Sequence, residues 1–382
     1  MKISLQPKLA EGLPGVRDWF ANYPFSCLEQ KISRAVGLRD GKLWQTAVGQ
    51  IPSYLDADGL ASYFPPRDGD ANRGSDTLTA YLLAATHEAA SINPEFALSD
   101  EVRAPMERGL INFVEGKIQR EFWSPRSGRS GDLDVRKLAA LEALSRYGKA
   151  QGRMLGSITI APNQWPTHAV IDWLSILRRV ADVPERDKRV AEANQVLRAR
   201  TSYQATKMIF TTEKDDYWWW LMVGGDVNTA RLLLAVMDDP AWKDDMGRLA
   251  NGFIGRQQGG AWHTTTANLW GGMALEKFSA KFEAVAVAGM TRASLASLTP
   301  SAGVGAVSAA GVSAVTLGSG GVGAGSAAVD WSKVERIKPP MPRVLHIKRR
   351  SSVPLRRPAT CATTACFCLG KISQLKTPPK TL

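Results

Sequence analysis

The sequence predicts a mostly α-helical protein, and three observations support this fold class. Apolar residues recur at spacings of three and four along the chain up to about residue 283. Loop signals rich in Gly, Pro and Ser separate these stretches, and alternation with period two is almost absent before residue 283. The predicted buried faces are Leu78/Tyr81/Leu82/Ala85/Ala89, Leu138/Leu141/Leu144/Tyr147, Val170/Leu174/Leu177/Ala181 and Leu269/Met273/Phe278. Helices of this kind pack as bundles, solenoids or α/α toroids, and periodicity does not choose among them.

The chain changes character along its length. Residues 1–26 form an irregular lead-in punctuated by Pro and Gly, and the helical pattern follows. Residues Glu283–Ala293 predict one or two strands. The uncharged stretch 299–329 is long enough to span a membrane, but its Gly, Ala, Ser and Val composition predicts a flexible linker. Residues 338–382 combine Pro, Arg, Lys and Thr without periodicity, which predicts a disordered basic tail.

The formal net charge of +12 is located in that tail. Residues 331–382 hold twelve Lys and Arg but one acidic residue, whereas residues 1–330 hold 36 basic and 35 acidic residues. We therefore expect no nucleic-acid partner for the body of the protein. Twelve Trp exclude disorder of the whole chain, and three of the four Cys lie in the tail, which excludes a disulfide scaffold. The N-terminus shows no signal peptide.

Cys27 and Gln30 lie three residues apart at a predicted helix start. At that spacing the Cys27 thiolate can attack the side-chain carbonyl of Gln30 and expel ammonia, which leaves an internal thioester. Unpaired N–H groups at the helix N-terminus favour both the thiolate and the oxyanion, and Glu29 can shuttle the proton. The alternative is a small buried Cys in an amphipathic helix.

The residues around this pair resemble the bacterial branch of the alpha-2-macroglobulin and complement family. The run from Tyr23 to Gln30 is similar to its thioester motif, Y-P-x-x-C-L-E-Q. Other similar runs follow in consistent order over residues 10–285. They are Gly12–Phe20, Asp76–Tyr81 (with Thr77 where Trp is common), Asp215–Leu221, Asp238–Trp242 and Gly260–Thr265.

The resemblance implies a function as well as a fold. Residues 1–285 would form an α/α toroid thioester domain, in which Cys27 and Gln30 form the cross-link and Tyr23 shields it from water. Relatives are non-enzymatic endopeptidase inhibitors that capture a Lys of the attacking protease as an amide. They need no cofactor, and they are periplasmic, often as inner-membrane lipoproteins.

The same resemblance implies that parts of a full-length inhibitor are missing. Relatives carry upstream macroglobulin-like domains with a bait segment, so we expect this chain to be a C-terminal fragment. Residues 286–337 resemble a partial start of the C-terminal macroglobulin-like β domain with a Gly/Ala/Ser-rich linker. Residues 338–382 resemble nothing in that domain, which suggests a shifted reading frame. A non-functional gene fragment is therefore one alternative.

Histidines and acidic pairs offer other sites. His87, His168 and His263 are too widely spaced for a metal motif, so we expect no metal. Without a catalytic His of the kind some relatives use, amines should be the better acceptors.

An enzyme acting on carbohydrate or isoprenoid is a second alternative, because toroids host such enzymes and carboxylate pairs serve them as acid and base. The pairs are Asp215-Asp216, Asp238-Asp239 and Asp244-Asp245, and Asp near a helix end is more often a cap.

Overall fold

The computed structural model describes residues 13–66, 73–122, 132–158, 162–212 and 215–284, and the backbone of 290–296 and 312–318. This part of the chain is mostly helical, as the periodicity predicts. The helices are α1 (Pro14–Ala21), α2 (Leu28–Leu38), α3 (Gly41–Gln50), α4 (Asp76–Ile92), α5 (Asp100–Val114), α6 (Leu133–Arg146), α7 (Thr167–Arg179), α8 (Arg186–Ala199), α9 (Gly225–Val236), α10 (Met246–Ile254) and α11 (Thr265–Phe282). Short 3-10 helices, including Trp219–Leu221, lie in the connections.

Local chemistry explains where several helices begin. The Asp40 carboxylate accepts hydrogen bonds from the backbone of Lys42 and Leu43 ahead of α3, at 2.9 and 3.0 Å. The Ser75 hydroxyl caps α4 through the N–H of Leu78 at 3.1 Å. Such caps satisfy N–H groups that the first turn leaves without an intrahelical partner.

The apolar faces predicted from the sequence are buried except at two ends: Ala181 lies beyond α7 and is exposed, and Tyr147 lies beyond α6 and is partly buried. On α4, Leu78 and Leu82 are completely buried, as are Leu138 on α6 and Val170 on α7. Burying a side chain of this size stabilises the fold by roughly 1.5–3 kcal/mol. These faces pack into one core shared by the helices, which confirms the prediction of amphipathic helices.

Six helices contact one another in a closed order. Along this order α2 contacts α4, and contacts then follow from α4 to α6, α7, α9 and α11; α11 in turn contacts α2. We call these helices the six-helix ring. Each remaining helix packs against one or two helices of the ring. Helices α1 and α3 contact α2, α5 contacts α4 and α6, α8 contacts α7, and α10 contacts α9.

Four helices of the ring, α2, α4, α6 and α11, begin at the same end. Side chains at the first turn of one helix reach the first turn of a neighbour, and the segment before α4 connects its start with that of α2. The bonds are Thr265 Oγ1 to Glu29 Oε2, Arg136 Nε to Asp76 Oδ2, Leu28 N to Tyr63 O and Ser75 N to Ala61 O, all at 2.9 Å. We call this the N-terminal end of the ring.

A β-hairpin that the sequence analysis missed follows α8. Strands β1 (Thr201–Gln204) and β2 (Lys207–Phe210) pair antiparallel, with Gln204 opposite Lys207. Ala205 in the two-residue turn has a φ of 52°. Turns of this kind favour Gly or Asn because of their positive φ, so Ala205-Thr206 gives no hairpin signal.

The second hairpin corrects the interpretation of the chain after residue 283. Strand β3 (Met290–Ala296) pairs antiparallel with β4 (Val312–Gly318). The first falls at the end of the predicted strand region, whereas the second lies inside the predicted flexible linker 299–329. Val and Thr in the run Val312–Leu317 have β-branched side chains that favour strands, so composition alone was misleading there. The basic tail 338–382 lies outside the described residues.

Candidate functional site

Cys27 and Gln30 meet at the start of α2. Cys27 is the residue before the helix and is extended, with φ −67° and ψ 169°. Its backbone N–H donates to Oε1 of Gln30 at 3.0 Å, and its side chain accepts from the Gln30 backbone in a reciprocal capping box. Both residues are buried, at 2% and 6% exposure. The predicted helix start is confirmed, and the two side chains lie at one cap.

The electrostatics of this cap favour nucleophilic chemistry. Cys27 lies at the N-terminal end of the ring, where the helix dipoles place partial positive charge. The carbonyl oxygen of Gln30 already receives an N–H bond, which is the interaction that stabilises an oxyanion formed at the same atom.

Tyr23 contacts the other end of the Gln30 carboxamide. Gln30 Nε2 donates to the Tyr23 hydroxyl at 3.3 Å. The Tyr23 ring stacks on Trp19, with centroids 4.6 Å apart, and meets the exposed Phe25 edge-on at 5.6 Å. The carboxamide is therefore held at both its oxygen and its nitrogen.

Glu29 lies in a buried chain of hydroxyl groups. Its carboxylate accepts hydrogen bonds from Ser33 Oγ at 2.8 Å and Thr265 Oγ1 at 2.9 Å. Ser33 Oγ lies 2.6 Å from the Tyr81 hydroxyl. Burial raises the pKa of the Glu29 carboxyl, although the hydrogen bonds lower it in part. The pKa of Tyr81 is raised well above its ordinary value by burial and then by the charge of Glu29.

This hydroxyl chain joins three ring helices, α2, α4 and α11. Sequence reasoning missed the roles of Ser33, Tyr81 and Thr265 beside Glu29. The available signal was that Tyr81 and Thr265 each end a run that resembles the family. Neither run indicated that its polar residue turns toward α2, because that depends on how the ring closes.

The first turn of α1 and the segment before α11 pack together through glycines. A Cβ built on Gly15 would lie 2.5 Å from the backbone oxygen of Gly260, which itself has a φ of 86°. Residue 15 must therefore be Gly for these segments to approach. Next to them, Trp262 stacks on Phe253 with centroids 4.1 Å apart, and its backbone bonds the Asn268 side chain.

The Asp76 run supports the ring through a buried ion pair. Arg136 of α6 bonds both carboxylate oxygens of Asp76, and each side chain is 1% exposed. The guanidinium also lies over the ring of Phe122, 4.4 Å from its centroid. This pair fixes the beginning of α4 against that of α6.

The acidic pairs occupy separate structural positions. Asp216 accepts from the backbone and hydroxyl of Thr167 at 3.0 and 2.6 Å, which ties it to the start of α7. Asp239 caps a 3-10 helix, and Asp245 pairs with Arg198 at 2.8 Å. These capping and pairing roles agree with the structural alternative given for Asp residues near helix ends. They do not test whether the protein is an enzyme.

Two cavities lie near the ring. One, of about 60 Å³, is lined by Glu142, Asp172 and Arg231 inside the ring, and burial raises the pKa of Asp172. The other, of about 650 Å³, is a recess where α6 and α7 begin, and Trp165 and Trp218 are among its lining residues. Sequence analysis missed both, because charged residues on a helix give no sign that their neighbours enclose them.

The three histidines in the described part of the chain have different surroundings. His168 is 2% exposed beside Trp218, His87 meets Tyr147 edge-on, and His263 is exposed. Across residues 13–284, within the described ranges, no cluster of His, Cys, Asp and Glu is arranged to hold a metal ion. None of the helices in the described part of the chain is both long enough and apolar enough to cross a bilayer.

No family model and no curated protein matches the sequence. Solved structures, by contrast, resemble it in fold. The native alpha-2-macroglobulin of E. coli, seen by cryo-electron microscopy, gives a TM-score of 0.53 at 14% identity, over 82% of this chain and 19% of that one. A crystal structure of the E. coli protein from domain MG7 to the C-terminus gives 0.53 at 14% identity, over 82% and 47%.

The alpha-2-macroglobulin of Salmonella reacted with methylamine gives a TM-score of 0.52 at 14% identity, over 75% of this chain and 18% of that one. This chain thus spans about a fifth of the full-length proteins that it resembles. At this identity the likeness concerns the fold. The described helical part of the chain has a fold similar to part of the bacterial alpha-2-macroglobulins.

Proposed function

We propose that residues 1–285 form an alpha-2-macroglobulin-like thioester domain, whose Cys27 and Gln30 form an internal thioester. The observation that carries the proposal is the Gln30 carboxamide, held at its oxygen by the Cys27 N–H in a buried helix cap. Attack of the Cys27 thiolate on the side-chain carbonyl carbon of Gln30 forms the S–C bond and breaks the C–N bond, and the leaving nitrogen takes up one proton. The products are the thioester and one ammonia.

The closed contact order of the six-helix ring supports an α/α toroid as the architecture of this domain. The hairpin of β3 and β4 is consistent with 286–337 as the partial start of a C-terminal macroglobulin-like β domain. Residues 338–382 stay assigned to a basic tail. Upstream macroglobulin-like domains would supply the bait segment and complete the inhibitor.

In this proposal the protein acts once as a covalent trap and is not an enzyme. A Lys amine of a protease attacks the thioester carbonyl, an amide to Gln30 forms, and Cys27 is released as a thiol. Amines are the preferred acceptors. By family resemblance the periplasm is the compartment in which the trap works.

Intact mass spectrometry of the full chain tests the thioester. We expect the wild type to lack one ammonia relative to its sequence, and to gain one methylamine on treatment. Gln30→Glu is the sharpest control, because it keeps the size of the side chain but has no amide nitrogen to lose. Both Gln30→Glu and Cys27→Ser should keep the mass of their sequence. If the wild-type mass equals that of its full sequence and does not change on methylamine treatment, the proposal is contradicted.

Acceptor preference is measured in the same assay. Equal concentrations of methylamine and glycerol should give amide adducts far in excess of ester adducts. A majority of ester adducts would contradict the preference for Lys while leaving the thioester intact.

A further inference from the structure

The Tyr23 hydroxyl contacts the atom that leaves when the thioester forms. Gln30 Nε2 lies 3.3 Å from Tyr23 Oη, while Gln30 Oε1 lies 3.0 Å from the Cys27 nitrogen. The two bonds fix which end of the carboxamide faces which partner. The nitrogen therefore faces a hydroxyl, and the oxygen faces an N–H donor.

The position of that hydroxyl is set by aromatic packing. The Tyr23 ring is half-buried, stacks on Trp19 of α1 and meets Phe25 edge-on. Stacking of this kind stabilises one orientation of the ring. Leu28 and the rest of α2 hold Gln30 on the other side. The contact between hydroxyl and amide nitrogen thus joins two packed elements.

We propose that Tyr23 is a catalytic residue of thioester formation, whose hydroxyl protonates the nitrogen leaving Gln30. This inference rests on the proposed thioester function and adds a role for the hydroxyl that is separate from shielding by the ring. Amide nitrogen is a poor leaving group unless it is protonated as the C–N bond breaks.

Thioester formation replaces the C–N bond of the Gln30 side chain by an S–C bond to Cys27. The Cys27 thiol ionises and gives its proton to solvent, and the thiolate attacks the Gln30 carbonyl carbon. In the tetrahedral intermediate the nitrogen becomes an amine with a lone pair, so it can accept the Tyr23 proton. The C–N bond breaks, ammonia leaves, and the Tyr23 phenolate takes back a proton from solvent.

Glu29 is less suited to this step. Its two carboxylate oxygens accept hydrogen bonds from Ser33 and Thr265, whereas Tyr23 contacts the leaving nitrogen itself. The sequence analysis expects Glu29 to shuttle the proton. We assign the protonation of the leaving nitrogen to Tyr23 instead.

Refolding kinetics test the role of the hydroxyl. The full chain, isolated unfolded in urea, is diluted into buffer and ammonia release is followed with time. Tyr23→Phe keeps the ring on Trp19 and should slow release roughly 100-fold, the usual scale of general acid catalysis. Tyr23→His restores a ring with a proton donor and should release ammonia several times faster than Tyr23→Phe. Tyr203→Phe, which loses an exposed hydroxyl bonded to Asp245, should match the wild type.

A second readout separates this role from structure. Once formed, the thioester of Tyr23→Phe should hydrolyse at the wild-type rate, because the shielding ring remains. Equal ammonia release by wild type, Tyr23→Phe and Tyr23→His would overturn the inference and leave the thioester function standing. No ammonia release by the wild type would overturn both. Recovery of Trp fluorescence shows that each variant has refolded.

Discussion

Replacing Glu88 by Gln tests how the six-helix ring is held together. Glu88 of α4 lies between Arg146 of α6, 2.6 Å from its Nη1, and Lys277 of α11. Its side chain is only 9% exposed. Burial raises the pKa of the Glu88 carboxyl, but the two cations lower it more, to about 2 from an ordinary 4.5. The pair of cations therefore favours the ionised form strongly.

The size of the effect follows from that pKa. Each pKa unit corresponds to about 1.4 kcal/mol, so the depression of the Glu88 pKa contributes about 3 kcal/mol to the free energy of unfolding. Because the folded pKa is depressed, this stability is present above pH 4.5 and is lost as the pH falls toward 2. Between pH 7 and pH 3 about 2 kcal/mol of it should disappear.

Urea unfolding followed by Trp fluorescence measures this directly. At pH 7 Glu88→Gln should lower the free energy of unfolding by about 3 kcal/mol, and at pH 3 by about 1 kcal/mol. Glu276→Gln is the matched control on α11, because Glu276 is 45% exposed and pairs only at the surface with Arg39. Glu276→Gln should lower the free energy of unfolding by at most about 1 kcal/mol. An equal loss for Glu88→Gln at both pH values would show that Arg146 and Lys277 do not lower the pKa of Glu88 in the folded protein.

Two further predictions concern close packing and the buried ion pair. Gly15→Ala should destabilise the fold by roughly 1–3 kcal/mol because its Cβ would overlap Gly260. Gly49→Ala, in the last turn of α3 with nothing within 4 Å of the added Cβ, should instead stabilise the fold, by at most about 1 kcal/mol. Equal urea midpoints for the two variants would contradict the close approach. Arg136→Met should lower the free energy of unfolding by about 3–5 kcal/mol, because it leaves the Asp76 carboxylate buried without its cation. Adding Asp76→Leu should recover part of that loss in the same assay, and a double variant less stable than the single one would show that the pair is not the cause.

The sequence predicted those parts of the fold that depend on local periodicity. Leu78 and Leu138 mark helix faces that the structure buries, and Pro24 ahead of Cys27 placed the start of α2 correctly. The hairpin at Ala205 was missed because its turn lacks the residues that such turns favour. The strand Val312–Gly318 lies in a stretch whose Gly and Ser composition predicts a linker, so composition conceals it.

The candidate site was predictable only along one helix. Cys27 and Gln30 are three residues apart, so their proximity follows from helix geometry. Thr265 lies 236 residues from Glu29, and its hydrogen bond requires the ring to close. Sequence spacing therefore could not predict the hydroxyl chain. The contact of the Tyr23 hydroxyl with Gln30 depends on the path of the non-helical segment between α1 and α2, which the sequence does not define.

Alkylation of Cys27 tests the central claim most directly. The native full chain is unfolded rapidly in urea containing N-ethylmaleimide, with and without prior methylamine, and the peptide carrying Cys27 and Gln30 is weighed. We expect Cys27 to escape alkylation without methylamine, and to be alkylated after methylamine while Gln30 carries a methylamide. Full alkylation of Cys27 before methylamine, with an unmodified Gln30, would contradict the internal thioester.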